Sequence, residues 1–155
     1  MIIKRAELSD MDGTNRLLKQ VLMVHHEGRP DLFKPNAKKY TDEELSEIIL
    51  DDTRPIFVAK EDGKVLGYAF CVFIRHIANN ILTDIKTLYI DDLCVDESVR
   101  GKHIGKSLYE YVMEFARDNG VYNITLNVWE LNSGAKRFYE KCGFSVQKTG
   151  MEMIL

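Results

Sequence analysis

The sequence Val99-Arg100-Gly101-Lys102-His103-Ile104-Gly105 indicates the fold class of this chain more directly than any other segment. It follows a strand-like apolar run, residues 89–95, and it opens a helix-like run, residues 104–119. Small residues between a strand end and a helix start leave backbone N–H groups free, and the helix dipole adds partial positive charge there. With two cationic side chains in the same turn, the segment predicts a phosphate-binding loop.

A second informative segment reads Asn132-Ser133-Gly134-Ala135-Lys136-Arg137-Phe138-Tyr139-Glu140-Lys141-Cys142-Gly143-Phe144. Its apolar residues recur at the spacing of one helix face, so spacing alone makes Tyr139 a core residue. Asn132 precedes this helical run and is a favourable N-cap residue. Each segment alone is a common pattern, whereas the two in this order form a specific one.

Composition limits the classes of protein to which the chain can belong. It has 155 residues, of which 45% are hydrophobic and 29% charged, and we expect a single domain over residues 1–155. The net charge of −3 argues against a nucleic-acid partner, which usually requires a basic surplus. The longest apolar run, residues 65–74, is too short to span a bilayer, and the N-terminal residues lack the apolar region of a signal peptide. We therefore expect a cytoplasmic protein without a membrane partner.

Cysteine and histidine are too sparse to predict a metal site. Cys71, Cys94 and Cys142 are an odd number and lie far apart, which fits neither a disulfide framework nor a zinc site. His25 and His26 are adjacent, so they do not face one metal ion from one side of a helix. We interpret them as partners of a helix C-terminus or as residues of a substrate pocket.

The order of predicted elements is β-α-α-β-β-β-α-β-α-β, with one further strand allowed at the end. The strands are expected at residues 2–5, 56–60, 65–74, 87–96 and 124–129, and one or two edge strands within residues 144–155. The helices are expected from about residue 10 to 28, 41–50, 104–119 and 133–141. The first strands form a meander and the later ones alternate with helices, which predicts a mixed sheet covered on both faces.

With these elements and segments in these places, the chain resembles the GCN5-related N-acetyltransferase (GNAT) family. The pyrophosphate loop of that family reads Gln/Arg-x-x-Gly-x-Gly/Ala, and here Arg100 fills the first position and Gly105 the last. His103 stands where the family usually has its first glycine, which is a departure. The second segment matches the pattern Asn-x-x-Ala-x-x-Phe/Leu-Tyr-Glu-x-x-Gly-Phe at every fixed position. The specific motifs span residues 89–144.

The resemblance implies a fold and a reaction. The fold is α/β (α+β), a single domain whose mixed, mostly antiparallel sheet has about six to seven strands flanked by about four helices. The reaction moves an acetyl group from acetyl-CoA to an amine by direct attack in a ternary complex. The residues that match the CoA-binding positions are Leu93, Cys94, Val95, Arg100, Gly101, Lys102, His103, Ile104, Gly105, Lys106 and Asn132.

Acyl transfer to an amine needs a base first and an acid second. An alkyl amine has a pKa of about 10.4, so at neutral pH a base must remove its proton, whereas the leaving thiolate is a smaller problem. Asp91 and Asp92 precede the loop, and in a regular strand they would point to opposite faces. We predict that Asp91 is the base and that Asp92 positions the amine, the alternative being two ordinary polar strand residues. The resemblance makes Tyr139 the acid that protonates the thiolate.

The sequence leaves several functions open. The acceptor is a small-molecule or peptide amine, and its identity is not fixed by these residues. The departure at His103 also allows a catalytically weak, regulatory CoA-binding module. A nucleotide-using enzyme of another class is disfavoured, because the chain lacks the usual nucleotide-loop motifs. An edge strand at the C-terminus would allow a homodimer.

Overall fold

The computed structural model describes residues 1–155 and contains one five-stranded mixed sheet in the order β1-β2-β3-β4-β5. Strands β1 to β4 pair antiparallel and β5 pairs parallel to β4. The strands are β1 (Ile2–Arg5), β2 (Ile56–Glu61), β3 (Lys64–Ile74), β4 (Thr87–Val95) and β5 (Asn123–Leu126). The helices are α1 (Met11–Gly28), α2 (Asp42–Ile49), α3 (Ile104–Asp118) and α4 (Ser133–Lys141). None of these helices combines the length and the apolar character needed to cross a membrane.

The predicted count of six to seven strands is wrong. Residues 144–155 form no strand, because they run without pairing to any other segment, and β5 keeps one unpaired edge. Their apolar side chains are largely exposed, Val146 by 68% and Met151 by 94%. Arg29, which follows α1, pairs with Glu152 in this segment. The predicted strand at residues 124–129 is also shorter than expected, since the chain turns where the Asn132 N–H donates to the Trp129 carbonyl.

The sheet is covered on both faces, as its apolar strands predict. Along β2, Ile56 and Val58 pack under α1 and α2, whereas Phe57 and Ala59 face α3. β3 is buried continuously from Val65 to Cys71. Each large apolar side chain removed from water contributes about 1.5–3 kcal/mol before entropy is subtracted, so the strands need both helical layers.

Two local sequence signals give the structures that they predict. The turn between β2 and β3 places Asp62 and Gly63 at φ values of 50° and 77°, the left-handed conformation that a tight hairpin requires. At the start of α2, the Glu44 N–H donates to Thr41 Oγ1, and the Thr41 N–H donates to Glu44 Oε1, both at 3.1 Å. This reciprocal capping box fixes where the segment after α1 becomes helical again.

A β-bulge interrupts the pairing of β3 with β4 at Asp91. Phe70 pairs with Asp92, but the next residue of β3, Cys71, pairs with Ile90, so Asp91 has no partner. A bulge of one residue reverses the alternation of side chains beyond it. Before the bulge Ile90 packs on the α3 side, and after it Cys94 packs on the α1–α2 side.

β4 and β5 pair over only part of their length. Their last paired residues are Ile90 and Leu126, after which β5 ends while β4 continues against β3 as far as Val95. The second half of β4 therefore has a strand partner on one side only. A wedge opens there between β4 and the chain that leaves β5, directly before the loop at residues 99–105.

Candidate active site

The bulge in β4 brings the two predicted carboxylates to one face. In a regular strand Asp91 and Asp92 would point to opposite faces. β4 has a bulge at Asp91, so the expectation of opposite faces is wrong. Asp92 accepts a hydrogen bond of 2.6 Å from the hydroxyl of Tyr68, which lies in the core under α1 and α2. Asp91 lies 3.2 Å from Nζ of Lys39, in the segment that joins α1 to α2. Both carboxylates therefore face the α1–α2 side of the sheet.

Asp92 is partly buried, and the nearby donor and positive charge do not offset the cost of burying its carboxylate. Burial raises the pKa of Asp92, and the neighbouring charge of Asp91 adds to the effect. The Tyr68 hydroxyl and the positive charge of Lys39 oppose this rise without cancelling it. The same surroundings raise the pKa of Tyr68 well above its usual value, so Tyr68 stays a hydrogen-bond donor. A carboxylate in this setting accepts a proton more readily than one in water.

Lys39 supplies the positive charge nearest to the two aspartates. Its Nζ also lies 5.4 Å from the centre of the Tyr40 ring, within reach of a cation–π contact. Burial lowers the pKa of Lys39, but the carboxylates of Asp92 and Asp91 outweigh it and raise the pKa overall. Lys39 is therefore charged at neutral pH and lies half-buried in the site.

Tyr139 lies on α4, with its ring half-buried against its aromatic neighbours. The ring centres of Phe138 and Phe144 are 5.1 and 5.6 Å away. Burial raises the pKa of Tyr139, and the negative charge of Asp92 raises it further. The hydroxyl is therefore protonated at neutral pH, and it is close enough to Asp92 for their charges to interact.

The loop before α3 presents a run of unused backbone donors. No backbone N–H from residue 100 to residue 106 donates a hydrogen bond within the chain. Gly101 and His103 adopt positive φ values of 84° and 59°, and a left-handed residue is what turns the loop into the helix. Arg100 and Lys102 are exposed and pair with no carboxylate. This is the environment that binds a phosphate group.

The side chains along the second half of β4 do not all face the wedge. The thiol of Cys94 is buried in the core under α1 and α2, where burial raises its pKa to about 12, so only its main chain is available. Leu93 and Val95 pack toward α3. Ile104 is likewise buried, so its contribution to a ligand site is limited to its N–H. Gly105 and Lys106 follow it in the first turn of α3, where Lys106 lies 3.7 Å from Glu110.

Asn132 is an N-cap, as the sequence predicts. Its Oδ1 accepts a hydrogen bond of 3.1 Å from the Ala135 N–H and so starts α4. Asn132 also lines a cavity of about 140 Å³ with His25, Phe33 and Trp129. The rings of His25 and Phe33 stack at 4.9 Å, and Trp129 meets the Phe33 ring edge-on at 5.5 Å.

His25 faces this cavity. Burial lowers its pKa, which favours a neutral imidazole at neutral pH. His25 also lies in the last turn of α1, so both interpretations drawn from the sequence, a helix C-terminus and a pocket residue, agree with its position. No group of three or more His, Cys, Asp or Glu side chains is placed to hold a metal ion.

Sequence reasoning missed Tyr68 and Lys39. Tyr68 lies within a continuous apolar strand, where a tyrosine is indistinguishable from an ordinary core aromatic residue. Lys39 lies in an irregular segment, and its contact with Asp91 joins residues that are 52 positions apart. The run Lys38-Lys39-Tyr40 carries no local signal that Lys39, and not Lys38, contacts a carboxylate of β4.

The residues that form this loop, strand and pair of aspartates lie within the range matched by one family model. The model of the acetyltransferase (GNAT) family matches residues 21–144. The chain belongs to the GNAT acetyltransferase family. This match confirms the resemblance inferred from the two motifs. The general reaction of the family is N-acetylation that depends on acetyl-CoA.

Solved structures agree on the GNAT fold over the whole chain. A variant of the BH1408 protein from Bacillus halodurans is 30% identical, with a TM-score of 0.95, over 100% of this chain and 99% of that one. Glucosamine-6-phosphate N-acetyltransferase from Arabidopsis thaliana is 28% identical, with a TM-score of 0.73, over 99% of this chain and 97% of that one.

The curated relative of that name in Arabidopsis thaliana matches more locally. It is 40% identical over 60 residues, which are 39% of this chain and 38% of the relative. The sequence match therefore spans well under half the length of that curated relative.

Proposed function

We propose that the chain transfers the acetyl group of acetyl-CoA to a primary amine, by direct attack of the amine in a ternary complex. The observation that carries this proposal is the arrangement of groups along β4. Unused backbone donors lie beyond its C-terminal end, an unpaired edge lies along its second half, and Asp92 lies at its bulge, where its charge acts on Tyr139 of α4. These are the groups that a phosphate-bearing thioester and an attacking amine each require.

The loop and the open edge fit coenzyme A in two places. The free N–H groups of residues 100–106 and the positive end of α3 would bind the pyrophosphate, with Arg100 and Lys102 adding charge. The main chain of residues 93–95 would bind the amide-bearing arm as an added strand does. Asn132 would hydrogen-bond that arm through its side-chain N–H groups while its Oδ1 caps α4.

Asp92, and not Asp91, is the base in this proposal, which reverses the preference drawn from sequence. Asp91 is already paired with Lys39 at 3.2 Å. Asp92 accepts from the neutral hydroxyl of Tyr68, and burial raises its pKa, which brings it closer to the pKa of an alkyl amine. Asp91 and Lys39 then set the charge around the incoming amine.

The reaction balances with groups of the chain alone. The amine gives a proton to the Asp92 carboxylate, and its nitrogen forms a bond to the thioester carbonyl carbon. The carbon–sulfur bond breaks, and Tyr139 gives its proton to the departing thiolate. The amide nitrogen gives its second proton to the Tyr139 oxygen, and Asp92 releases its proton to water, which restores both side chains. Holding both reactants together contributes roughly 7–11 kcal/mol, and the proton transfers add to that.

The acceptor is a small-molecule or peptide amine of a class still to be identified. The two carboxylates favour an amine that arrives as a cation. The cavity lined by His25, Phe33 and Trp129 adjoins the site and would accept the body of such a substrate. The names of the Arabidopsis relatives make glucosamine 6-phosphate one member of the panel to be screened.

The test is a thiol-release assay with acetyl-CoA over a panel of polyamines, amino sugars, aminoglycosides, amino acids and peptides. With an acceptor found, Tyr139→Phe should lower kcat by about 100-fold and leave the Kd for acetyl-CoA nearly unchanged. Tyr122→Phe is the matched control, because Tyr122 is 75% exposed and its N–H donates to the Lys86 carbonyl, just before β4 begins and away from the bulge. An unchanged kcat in Tyr139→Phe would remove Tyr139 as the acid.

A catalytically weak, regulatory CoA-binding module is the second candidate. One observation favours it: the imidazole of His103 is exposed in the loop where the family motif has glycine, on the surface that phosphate must approach. This candidate predicts that acetyl-CoA raises the Tm of the chain while no amine in the panel releases thiol. Thiol release with any amine excludes it.

We extend the proposal to a homodimer. The unpaired edge of β5 adjoins a groove of about 400 Å³ lined by Tyr109, Tyr122 and Phe144. The C-terminal segment, residues 146–155, pairs with no strand, and its apolar side chains are exposed. A second copy can pair with both. Size-exclusion chromatography should give a dimer, and removal of residues 146–155 should give a monomer. The single domain, the cytoplasmic location and the absence of nucleic-acid or membrane partners stay predictions from composition.

A further inference from the structure

Lys39 places an amine beside Asp91, one of the two carboxylates to which the proposed function directs the external acceptor. Its Nζ is 3.2 Å from Asp91 Oδ2, and the Asp92 carboxylate also acts on its charge. Its side chain is 38% exposed, so the alkyl stem is partly covered while the nitrogen lies beside two carboxylates. A lysine Nζ is chemically the same nucleophile as any other alkyl primary amine.

The neighbouring lysine is directed elsewhere. Lys38 Nζ lies 2.5 Å from Asp42 Oδ1, in the first turn of α2. Both lysines belong to the irregular segment between α1 and α2, and both side chains are similarly exposed. The fold therefore selects one of two adjacent amines for the site, which makes the other a matched control.

We propose that the chain acetylates Nζ of its own Lys39. This inference rests on the proposed function, because acetyl-CoA supplies the acetyl group. Nζ gives a proton to the Asp92 carboxylate and bonds to the thioester carbonyl carbon. The carbon–sulfur bond breaks, the thiolate takes a proton from Tyr139, and the amide nitrogen gives its second proton to the Tyr139 oxygen. Asp92 then releases its proton to water. The products are acetyl-Lys39 and free coenzyme A.

The modification changes the site in a defined direction. Acetylation removes the positive charge that faces Asp91 and Asp92. Two carboxylates are then left without their nearest cation, so the site attracts a cationic acceptor more strongly. Before modification, Lys39 competes with that acceptor, and because it is part of the chain its effective concentration is high. Lys39 must lose a proton to react, so its acetylation accelerates as pH rises.

The experiment uses the full chain and acetyl-CoA that carries carbon-13 in its acetyl group, with no added amine. The isotope separates new acetyl groups from any acquired during expression. Peptide mapping by mass spectrometry should place one labelled acetyl group per chain at Lys39. The rate per chain should not change when the protein is diluted, because the reaction is intramolecular.

Variants distinguish enzymatic labelling from chemical labelling. Lys38→Arg should be labelled at Lys39 at the normal rate, whereas Lys39→Arg should lose the label and keep a cation near Asp91. Tyr139→Phe should slow labelling by about the same factor as it slows thiol release, roughly 100-fold. Heat-denatured chain gives the background rate of chemical acetylation.

Four results would overturn the inference. Equal labelling of Lys38 and Lys39 that survives in Tyr139→Phe would show chemical acetylation. A rate that falls on dilution would assign the reaction to a second copy. An unlabelled Lys39 in a preparation that acetylates an external amine would overturn self-acetylation and leave the proposed function intact. Absence of both labelling and thiol release over the amine panel would overturn the proposed function and this inference together.

Discussion

Two aspartates close together in the chain show how differently one type of side chain can be held. Asp96 follows β4, has a side chain only 3% exposed, and is fully partnered by Arg16 at 2.5 Å and by the N–H and hydroxyl of Ser98. Asp92 lies at the bulge and accepts one side-chain hydrogen bond, from Tyr68. Burial raises the pKa of both, but Ser98 and Arg16 hold the pKa of Asp96 well below its usual range, whereas that of Asp92 stays raised.

The difference in hydrogen-bond partners makes Asp96 a structural carboxylate and Asp92 the candidate for a chemical role. Arg16 bridges from α1 to Asp96 and also donates to the Val65 carbonyl at 2.8 Å, so the Asp96 region joins α1, β3 and the end of β4. Asp92 is also shielded from water, but it has fewer hydrogen-bond donors around it than Asp96 has. Burial alone therefore does not identify a site residue. A partly buried carboxylate that is short of donors is the better candidate, because it can take a proton at lower cost.

The largest expected effect is on activity at Asp92. Asp92→Asn keeps the shape of the side chain and can still accept from Tyr68, but it cannot take a proton. We expect kcat with the best amine to fall by about 100-fold or more at neutral pH. The defect should shrink at high pH, where amines lose their proton unaided. Steady-state rates across pH measure both effects.

Asp91→Asn is the matched comparison for that measurement. Asp91 is paired with Lys39, so its removal should alter KM for a cationic acceptor more than kcat. The wild-type rate should fall on the acid side as Asp92 takes up its proton, at a pH above the usual range for aspartate. A larger loss of kcat in Asp91→Asn than in Asp92→Asn would restore the assignment drawn from sequence.

The second effect is on stability at Asp96. Asp96→Asn leaves the guanidinium of Arg16 without its counter-ion and should lower the free energy of unfolding by about 2–3 kcal/mol at pH 7. Because the folded pKa of Asp96 is lowered, its contribution is present above the unfolded pKa of about 3.9 and is lost as pH falls through the folded value.

Urea unfolding at several pH values checks this effect. The difference in free energy of unfolding between wild type and Asp96→Asn should become smaller in acid. The kcat per folded molecule of Asp96→Asn should differ little from that of wild type. A variant as stable as wild type at pH 7 would mean that the Arg16 pair contributes nothing to folding.

The third effect is a gain in stability in Asp92→Asn, which is opposite in sign to the loss expected in Asp96→Asn and smaller. The folded pKa of Asp92 is raised, so the protonated carboxyl is favoured by folding below the unfolded pKa, and that contribution is lost as pH rises through the folded value. At pH 7 the neutral Asp92→Asn side chain should therefore raise the free energy of unfolding by on the order of 1 kcal/mol. Thermal unfolding should show a higher Tm in a variant that has lost its activity. A lower Tm would mean that the charge of Asp92 stabilises the fold.

The sequence predicts well the elements and turns that surround the two aspartates. The order of elements, the loop before α3 and the N-cap at Asn132 follow from local signals, because turns, caps and periodicity act over a few residues. The two motifs were also sufficient to identify the family. The bulge was not predictable, because Ile90-Asp91-Asp92-Leu93 reads equally well as a regular strand. It depends on how β3 pairs with β4.

The remaining failures share one physical cause, which is dependence on distant partners. Lys39 meets Asp91, and Tyr68 meets Asp92, only after the sheet has formed. Residues 144–155 have apolar side chains suited to a strand, but a strand exists only where another strand pairs with it. Within this chain none does, so the predicted edge strands are absent.

The smallest expected effect tests the departure in the loop. His103 has φ 59° and ψ 20°, a left-handed conformation that costs a non-glycine residue roughly 1 kcal/mol, and glycine adopts it without strain. Glycine also loses more entropy on folding, so His103→Gly should gain about 0.5 kcal/mol of stability. The N–H groups remain, so the Kd for acetyl-CoA should change by less than about threefold. Calorimetric titration with acetyl-CoA measures this, and a clearly weaker Kd in the glycine variant would make the imidazole a phosphate ligand.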